Sequence, residues 1–346
     1  MDIKDAIAHC IERRDLDDAQ MRAVMHTIMT GGASAAQIAG FLVALRMKGE
    51  SVTEIAAAAA VMRDLAAGVE LDGLDHAVDI VGTGGDASGT FNVSTTSMFV
   101  AAAAGCRVAK HGNRSVSSKS GAADVLEAAG VRLDLSPAEV ARCVHEVGVG
   151  FMFAPGHHSA MKHAVEPRRA LGVRTLFNVL GPLTNPARVS NQVLGVFAEH
   201  LLEPLAEVLR RLGSRHVMVV HARDGLDEIS IGERTDIAEL RDGEIHRYSV
   251  RPEDFGLTRA ALEQVRVSGP EESLRVLRGV LDGEPGAARE MVLLNAGAAI
   301  YVAGRAPSLA AGVGRAAEVI DSGEARRRLD RLCALTGGLE AALATT

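Results

Sequence analysis

The stretch Ala77-Val-Asp-Ile-Val-Gly-Thr-Gly-Gly-Asp86 marks the point at which the sequence changes from helical patterns to alternating strands and helices. Its first five residues form a short, mostly apolar run, which predicts a buried strand. The glycines that follow let backbone amides approach a phosphate closely, and the start of a following helix adds partial positive charge. The stretch therefore predicts a strand that ends at a phosphate-binding loop. A simple tight turn is the alternative that the loop alone leaves open.

The residues before this stretch predict helices only. Apolar side chains recur at helical spacing over 17–30, and a second helical pattern covers 34–49. Ser51 and Glu54 have the spacing of a capping box, which begins a third helix. We therefore predict a small all-helical domain over residues 1–70.

The residues after the stretch alternate between strands and helices. This alternation predicts a large α/β domain over residues 71–346, with a mostly parallel central sheet covered on both faces. We predict strands at 77–81, 106–109, 150–153, 192–197 and 216–221, a hairpin of 236–240 and 244–250, and helices at 95–104, 122–129, 137–147 and 287–302.

The composition excludes several classes of protein. The chain has 346 residues, a net charge of -7 and only 3% aromatic residues, which argues against general binding to nucleic acid or anionic membranes. Neither a signal peptide nor a convincing membrane span is visible. We expect a soluble, cytoplasmic protein with reduced cysteines, since no two of the four lie close in sequence: Cys10, Cys106, Cys143 and Cys333.

The glycine loop formally fits the dinucleotide pattern G-x-G-x-x-A, which ends at Ala87. A nicotinamide site also needs an acidic residue about twenty positions later, but no Asp or Glu occurs between Asp86 and Asp124. The acid-free stretch suits a ligand with several phosphates, because it is rich in cationic, hydroxyl and amide side chains. They are Arg107, Lys110, Arg114, Lys119, Ser88, Thr90, Asn92, Ser94, Thr95, Ser115, Ser117 and Ser118.

A pair of acidic residues, Asp227-Glu228, follows the predicted strand 216–221. Adjacent carboxylates at the end of a buried strand can bind Mg²⁺, which takes one or two carboxylates and keeps several waters. On spacing alone, a solvated turn with two surface acids is the more common explanation.

Arginines and histidines form two further groups. Arg168, Arg169 and Arg174 are candidates to bind a carboxylate through paired hydrogen bonds, and the sequence alone does not distinguish among them. His157, His158 and His163 do not match the spacing of a zinc protease, so we expect loop or core histidines.

The chain closely resembles the anthranilate phosphoribosyltransferases over nearly its whole length. The resemblance rests on five segments in the family's order: Gly82-Thr-Gly-Gly-Asp86, Asn92-Val-Ser-Thr95, Lys110-His-Gly-Asn-Arg114, Arg168 with Leu171-Gly-Val-Arg-Thr-Leu-Phe-Asn178, and Asp227-Glu228. The combination of the cluster that begins at Lys110 with the acidic pair is far more specific than a glycine loop.

The resemblance implies an activity and an architecture. Members of the family transfer the 5-phosphoribosyl group of phosphoribosyl diphosphate (PRPP) to the amine of anthranilate, giving N-(5-phosphoribosyl)anthranilate and diphosphate, in tryptophan biosynthesis. They have the nucleoside phosphorylase/phosphoribosyltransferase-like fold and form homodimers. Their small helical domain includes a later helical excursion, here near residues 171–185, and their active site lies at the hinge.

The resemblance also implies roles for particular residues. Two Mg²⁺ ions per active site would be served by Ser94, Asp227 and Glu228. Anthranilate would contact Gly82, Asn113 and Arg168, with His111, His158 and Pro182 along its path. PRPP would be bound by Gly82, Gly85, Asp86, Thr90, Asn92, Val93, Ser94, Thr95, Lys110, His111, Gly112, Asn113, Arg114, Ser115, Val116, Ser117, Ser118 and Ala122.

Two positions depart from the family pattern. Ala122 stands where many relatives have a PRPP-contacting Ser, so one hydroxyl contact is lost, and Ser159 replaces the usual Pro after the histidine pair. No residue is assigned as catalytic acid or base, because the amine of anthranilate is already deprotonated at neutral pH.

Two alternative functions follow from the same fold. Pyrimidine nucleoside phosphorylases share it, but their sequences lack this combination of the lysine cluster with an acidic pair. Nucleic-acid-binding relatives would be expected to have a basic surface and altered magnesium residues, whereas this chain is acidic and keeps Asp227 and Glu228.

Overall fold

The structure is a computed structural model that describes residues 1–86, 88–114 and 120–343. Its N-terminal part is helical, as the sequence predicts, and the helices pack on one another through buried apolar side chains such as Met25, Leu42 and Ala58. These helices are α1 (Ile3–Ile11), α2 (Asp18–Met29), α3 (Ala35–Lys48) and α4 (Val52–Asp64).

The capping box predicted at the start of α4 is present. The backbone amide of Ser51 donates to Glu54 Oε2 at 2.7 Å, and the Ser51 hydroxyl accepts from the Glu54 amide at 3.2 Å. The carboxylate of Glu54 is fully buried, and it also accepts from the Leu16 amide (2.9 Å) and from Lys48 Nζ (2.8 Å). One buried carboxylate therefore joins the ends of three helices, because these donors compensate its removal from water.

The described residues contain a seven-stranded sheet in the order β3-β2-β1-β4-β5-β6-β7. The first five strands are parallel, and β6 and β7 form the antiparallel hairpin that the sequence predicts. The strands are β1 (Ala77–Gly82), β2 (Arg107–Gly112), β3 (Val149–Phe153), β4 (Asn191–Gly195), β5 (His216–Ala222), β6 (Thr235–Arg241) and β7 (Glu244–Val250).

The order of the strands reverses between β1 and β4. From β1 the chain moves outward to β2 and β3, and it then returns to the other side of β1 to form β4. Connections leave these two strands in opposite directions, so a crevice opens at their carboxyl ends, where α/β sheets bind ligands. The glycine loop that follows β1 lies at this crevice.

The sheet separates two apolar layers. In β5, Met218 and Val220 face one core with helices α5 (Val93–Ala103) and α13 (Ala287–Val302). Val217 and Val219 face a second core that includes α11 (Leu202–Arg211) and the N-terminal helices. No helix within the described ranges has the length and apolar character needed to cross a membrane.

The remaining helices are α5 (Val93–Ala103), α6 (Ala122–Ala129), α7 (Pro137–Val147), α8 (Ala154–His157), α9 (Lys162–Leu171), α10 (Phe177–Leu180), α11 (Leu202–Arg211), α12 (Pro270–Leu281), α13 (Ala287–Val302), α14 (Leu309–Asp321) and α15 (Glu324–Leu343).

A segment between β3 and β4 packs on the N-terminal helices. Helix α9 contacts α2 and α3, and α10 contacts α4. Leu176, Phe177 and Leu180 belong to the same apolar cluster as the N-terminal helices. The predicted fold class, a small helical part beside a large α/β part with a mostly parallel sheet, is confirmed.

Candidate active site

Two glycines at the ends of neighbouring strands make room for Asp227. Gly82 ends β1 and is paired with Gly195, which ends β4. A Cβ atom on Gly195 would overlap the Asp227 carbonyl oxygen, and one on Gly82 would overlap its carboxylate. The acidic pair is therefore at the crevice between β1 and β4, and the alternative of a plain surface turn is wrong for Asp227.

Asp227 also fixes the glycine loop. Its Oδ2 accepts a hydrogen bond from the Gly84 amide at 2.7 Å. Gly84 and Gly85 have φ values of 66° and 78°, a backbone conformation that side chains disfavour. The Asp227 carboxylate thus holds the loop through a backbone amide. The positive φ values explain why glycines occur at these two positions.

Glu228 lies at the N-terminus of α5 and Lys110 lies beside it. The Ser94 amide of α5 donates to the Glu228 carboxylate. Lys110 Nζ donates to Ser94 Oγ at 3.1 Å and to the Ile80 carbonyl, although the lysine side chain is almost fully buried. Burial lowers the pKa of Lys110, while the carboxylates of Asp79, Glu228 and Asp227 favour its charged form.

The acidic pair is poorly compensated by the protein alone. Burial, followed by repulsion from Asp86, raises the pKa of Asp227 above its ordinary value. Burial, followed by repulsion from Asp227, raises the pKa of Glu228 in the same way. A divalent cation would relieve this repulsion. In the described part of the chain no three His, Cys, Asp or Glu side chains converge on one point, and Mg²⁺ does not need such a cage because it keeps several waters.

Asp79 is a site residue that the sequence patterns did not indicate. It is buried in the middle of β1, where its carboxylate accepts from Asn185 Nδ2 (2.7 Å) and from the His111 amide (3.3 Å). Burial raises its pKa to about 6, and the charge of Lys110 opposes that shift. The signal in the sequence was a carboxylate in the middle of an apolar strand, which is costly unless it is paired.

His111 and His158 face each other beside the crevice. Their ring centroids are 5.0 Å apart, and the Nε2 atom of each is buried without a hydrogen-bond partner among the described residues. Burial lowers the pKa of His111 to about 3 and that of His158 to about 4. Two neutral histidine rings, whose Nε2 atoms have no partner among the described residues, thus lie beside the crevice. His157 instead forms a hydrogen bond with the Ala67 carbonyl at 2.8 Å, as a loop histidine would.

Arg168 is half-buried at the end of α9. Its guanidinium carbon lies 5.2 Å from the centroid of the Phe177 ring, and no acidic side chain in the described ranges forms an ion pair with it. Burial lowers its pKa. Arg174, by contrast, donates to the Gly85 carbonyl at 2.5 Å. The structure therefore distinguishes these arginines, which the sequence could not do.

Other predicted site residues have structural partners. Asn92 Oδ1 accepts from Ser120 and Ser273, both at 2.9 Å, just before α5 begins. Arg114 is ion-paired with Glu127 on α6. Ser115, Val116, Ser117 and Ser118 lie outside the described residues. The remaining predicted positions are near the crevice or on the elements that border it: Gly85 and Asp86 in the loop, Thr90 before α5, Val93 and Thr95 in its first turn, Gly112 and Asn113 at the end of β2, Ala122 on α6 and the buried Pro182.

Comparisons with known proteins identify the class to which this fold and site belong. Residues 74–326 match the sequence model of the glycosyl transferase family, a/b domain, and residues 4–66 match that of the glycosyl transferase family, helical bundle domain. Together the two matches cover most of the chain. The fold and the site thus define a two-part glycosyl transferase.

Individual relatives narrow the class. The anthranilate phosphoribosyltransferase of Thioalkalivibrio sulfidiphilus is 65% identical, over 97% of this chain and 99% of its own. The crystal structure of the enzyme of that name from Thermus thermophilus is 45% identical, has a TM-score of 0.91 and covers 96% of this chain and 99% of its own. The structure of the anthranilate phosphoribosyltransferase from Saccharomyces cerevisiae in complex with PRPP and Mg is 27% identical to this chain and has a TM-score of 0.89. It covers 97% of this chain and 98% of its own. The chain belongs to the anthranilate phosphoribosyltransferase family.

The low pKa of His158 predicts a dependence of stability on pH. The unfolded chain takes up a proton near the ordinary value of 6.5, whereas the native side chain stays neutral down to about 4. Native stability is therefore lost as the pH falls from 6.5 to 4, and His158→Asn should reduce this loss by about 1 kcal/mol per pH unit. Urea unfolding at several pH values measures the slope.

The matched control is His200→Asn, which changes an exposed histidine and should keep the wild-type slope. An unchanged slope in His158→Asn would show that this ring is already charged in the native protein.

Proposed function

We infer that the protein transfers the 5-phosphoribosyl group from PRPP to the amine of anthranilate, giving N-(5-phosphoribosyl)anthranilate and diphosphate, in tryptophan biosynthesis. The observation that carries this inference is the convergence of the glycine loop, the start of α5, Lys110 and the acidic pair at one crevice. The Saccharomyces cerevisiae relative, whose structure is described as a complex with PRPP and Mg, supports the donor.

We propose that PRPP lies across the start of α5. Backbone amides at a helix start and in a glycine loop favour phosphate oxygens. The residues proposed to bind it are those that the family resemblance implies, from Gly82 to Ala122, including the positions outside the described residues. Two Mg²⁺ ions are proposed at Ser94, Asp227 and Glu228, where bound magnesium would neutralise the charge of the diphosphate.

Anthranilate is proposed to bind near Gly82, Asn113 and Arg168. The Arg168 guanidinium is half-buried and lacks an ion pair among the described residues, so it can bind a carboxylate through two parallel hydrogen bonds. The neutral rings of His111 and His158 would border the aromatic acceptor without adding charge.

The proposed chemistry needs positioning and charge compensation more than proton transfer. Negative charge grows on the departing diphosphate, and Lys110, the loop amides and the start of α5 are arranged to stabilise it. The amine of anthranilate is already deprotonated, so no residue is assigned as catalytic acid or base. Most of the remaining rate acceleration would come from holding the two substrates in the correct orientation in one crevice.

We propose that the small domain comprises residues 1–70 and the later segment near 171–185, and that residues 71–346 form the large domain. Helix α9, which precedes the later segment, packs on α2 and α3 as well. The four cysteines are free, which supports a cytoplasmic enzyme.

A homodimer is proposed through an apolar face of the helical part. Ile11, Val43, Met47 and Val165 are large apolar side chains with exposures of 68%, 37%, 70% and 52%. The Ile7 side chain lies beside Gly40, so the exposed stripes of α1 and α3 are neighbours. Exposed apolar stripes of this kind mark protein interfaces, and a second copy of the chain is the partner that the family resemblance implies.

The overall function is tested by mixing the protein with anthranilate, PRPP and Mg²⁺. We expect the fluorescence of anthranilate to disappear as the product forms, and we expect no loss in excess chelator. Single- and double-stranded oligonucleotides at moderate salt serve as the comparison. Submicromolar oligonucleotide binding without turnover would identify a nucleic-acid-binding protein in place of the enzyme.

The acidic pair should be needed for metal-dependent turnover. Asp227→Asn or Glu228→Gln removes a negative charge from the proposed magnesium site, and each should lower kcat/KM for PRPP by at least about tenfold. Steady-state rates over a range of Mg²⁺ concentrations measure the effect. The control is Asp242→Asn, an exposed change in the β6–β7 turn. Full activity of both site variants would exclude these residues as metal ligands.

Arg168 should act on the acceptor. Arg168→Ala removes the proposed partner of the anthranilate carboxylate, so KM for anthranilate should rise by about tenfold or more while KM for PRPP changes less. The neighbouring Arg169→Ala is the control. Equal changes in both KM values would place Arg168 at the donor or give it a purely structural role.

The exposed apolar face should control assembly. Met47→Glu places a charge in the proposed dimer interface, so we expect a monomer at micromolar concentrations where the wild type is a dimer. Light scattering during gel filtration measures the mass. Arg275→Glu, an exposed change on α12, should remain dimeric, and a dimeric Met47→Glu would exclude this face.

A further inference from the structure

Arg174 is exposed, but its guanidinium is held by two contacts. It donates to the Gly85 carbonyl at 2.5 Å, and its guanidinium carbon lies 4.0 Å from the centroid of the Phe197 ring. A stacked, charge-assisted contact of this kind is more ordered than a solvated surface arginine. The two partners come from different strand ends, since Gly85 follows β1 and Phe197 follows β4.

The hydrogen bond to Gly85 fixes a peptide of the glycine loop 82–86, which we call the donor loop because PRPP, the ribosyl donor, is proposed to bind there. In a trans peptide the carbonyl and the next amide point in opposite directions. Turning the Gly85 carbonyl to Arg174 therefore directs the Asp86 amide away from the arginine. Gly85 has a φ of 78° and no side chain of its own to restrict it, so the loop depends on outside contacts to hold this orientation.

Phe197 connects the same contact to the base of the loop. Its backbone amide donates to Thr83 Oγ1 at 3.1 Å, and the Thr83 amide donates to the Gly195 carbonyl at 2.9 Å. The ring that supports Arg174 is thus tied to the residue that begins the loop. The loop is thus held by Asp227 through the Gly84 amide and by Arg174 through the Gly85 carbonyl.

Arg174 belongs to the segment that packs on the N-terminal helices. It is followed directly by Thr175 and Leu176, both buried, and Leu176 lies in the apolar core of the helical part. Arg168, proposed to bind the acceptor, is six residues earlier in the same connection and stacks on Phe177. One short segment thus carries both the arginine proposed to bind the acceptor and the arginine that is bound to the glycine loop.

We propose that Arg174 is a positioning residue that holds the donor loop in the conformation that binds PRPP and couples it to the segment bearing Arg168. The inference rests on the proposed function, since it assigns the loop to PRPP. Arg174 acts through the Gly85 peptide and is not itself assigned a contact with substrate. The donor loop is correctly ordered only when the helical segment lies against it.

The test compares steady-state kinetics of wild type, Arg174→Ala, Arg174→Lys and Phe197→Leu, with Arg169→Ala as the matched surface control. Arg174→Ala should lower kcat/KM for PRPP by about tenfold or more, the loss expected for one hydrogen bond to a charged group, with a smaller change in KM for anthranilate. Arg174→Lys should recover part of the loss because it keeps a donor, and Phe197→Leu should lose less than Arg174→Ala because the hydrogen bond remains.

Thermal unfolding of each variant separates positioning from folding. We expect the midpoints to match the wild type within a few degrees, because Arg174 is exposed. Wild-type kinetics in Arg174→Ala, or equal losses for both substrates with no rescue by lysine, would overturn the inference and leave the proposed function intact. Absence of turnover in the wild type would overturn the proposed function and the inference together. If Arg174→Ala does not fold, Arg174→Lys and Phe197→Leu decide by the same comparison.

Discussion

The close approach of Asp227 to the ends of β1 and β4 is the constraint on which the site depends. Only glycine at positions 82 and 195 leaves space for its carbonyl and carboxylate oxygens. That approach brings Asp227 Oδ2 to the Gly84 amide, so the same two glycines that allow the acid to enter also determine where the loop lies. Strand ends, loop and acidic pair therefore form one unit, and a side chain at either glycine would separate them.

Buried charge is the second feature that organises the site. Lys110 is close enough to Asp79, Asp227 and Glu228 for their charges to raise its pKa, and Asp227 raises the pKa of Glu228. Lys110 alone does not compensate three carboxylates, and burial raises the pKa of each. Charged groups withdrawn from water are costly unless they are paired. The site is therefore prepared for a cation and for the anionic oxygens that the cation would bring with it.

Much of the fold could be predicted because local patterns agree with the tertiary structure. Helix 287–302 was predicted with the bounds that the structure has, and the 51–54 capping box is present. The strand predicted at 192–197 instead covers 191–195. It ends at Gly195, where a Cβ atom would collide with the Asp227 carbonyl oxygen. The role of Asp79 could not be predicted, because its partners Lys110 and Asn185 are distant in sequence. Only folding brings them beside this acid in the apolar strand.

The sequence by itself determined the class of elements, their order and the family, because apolar periodicity, glycine positions and motif order are all local or linear properties. Only the tertiary structure decided which side chains meet. It distinguished Arg168, which has no ion pair among the described residues, from Arg174, which is bound to Gly85 across 89 positions. It also moved the acidic pair from a possible surface turn to the crevice. Contacts between distant positions depend on how strands are ordered in the sheet, and that order is not written in any one segment.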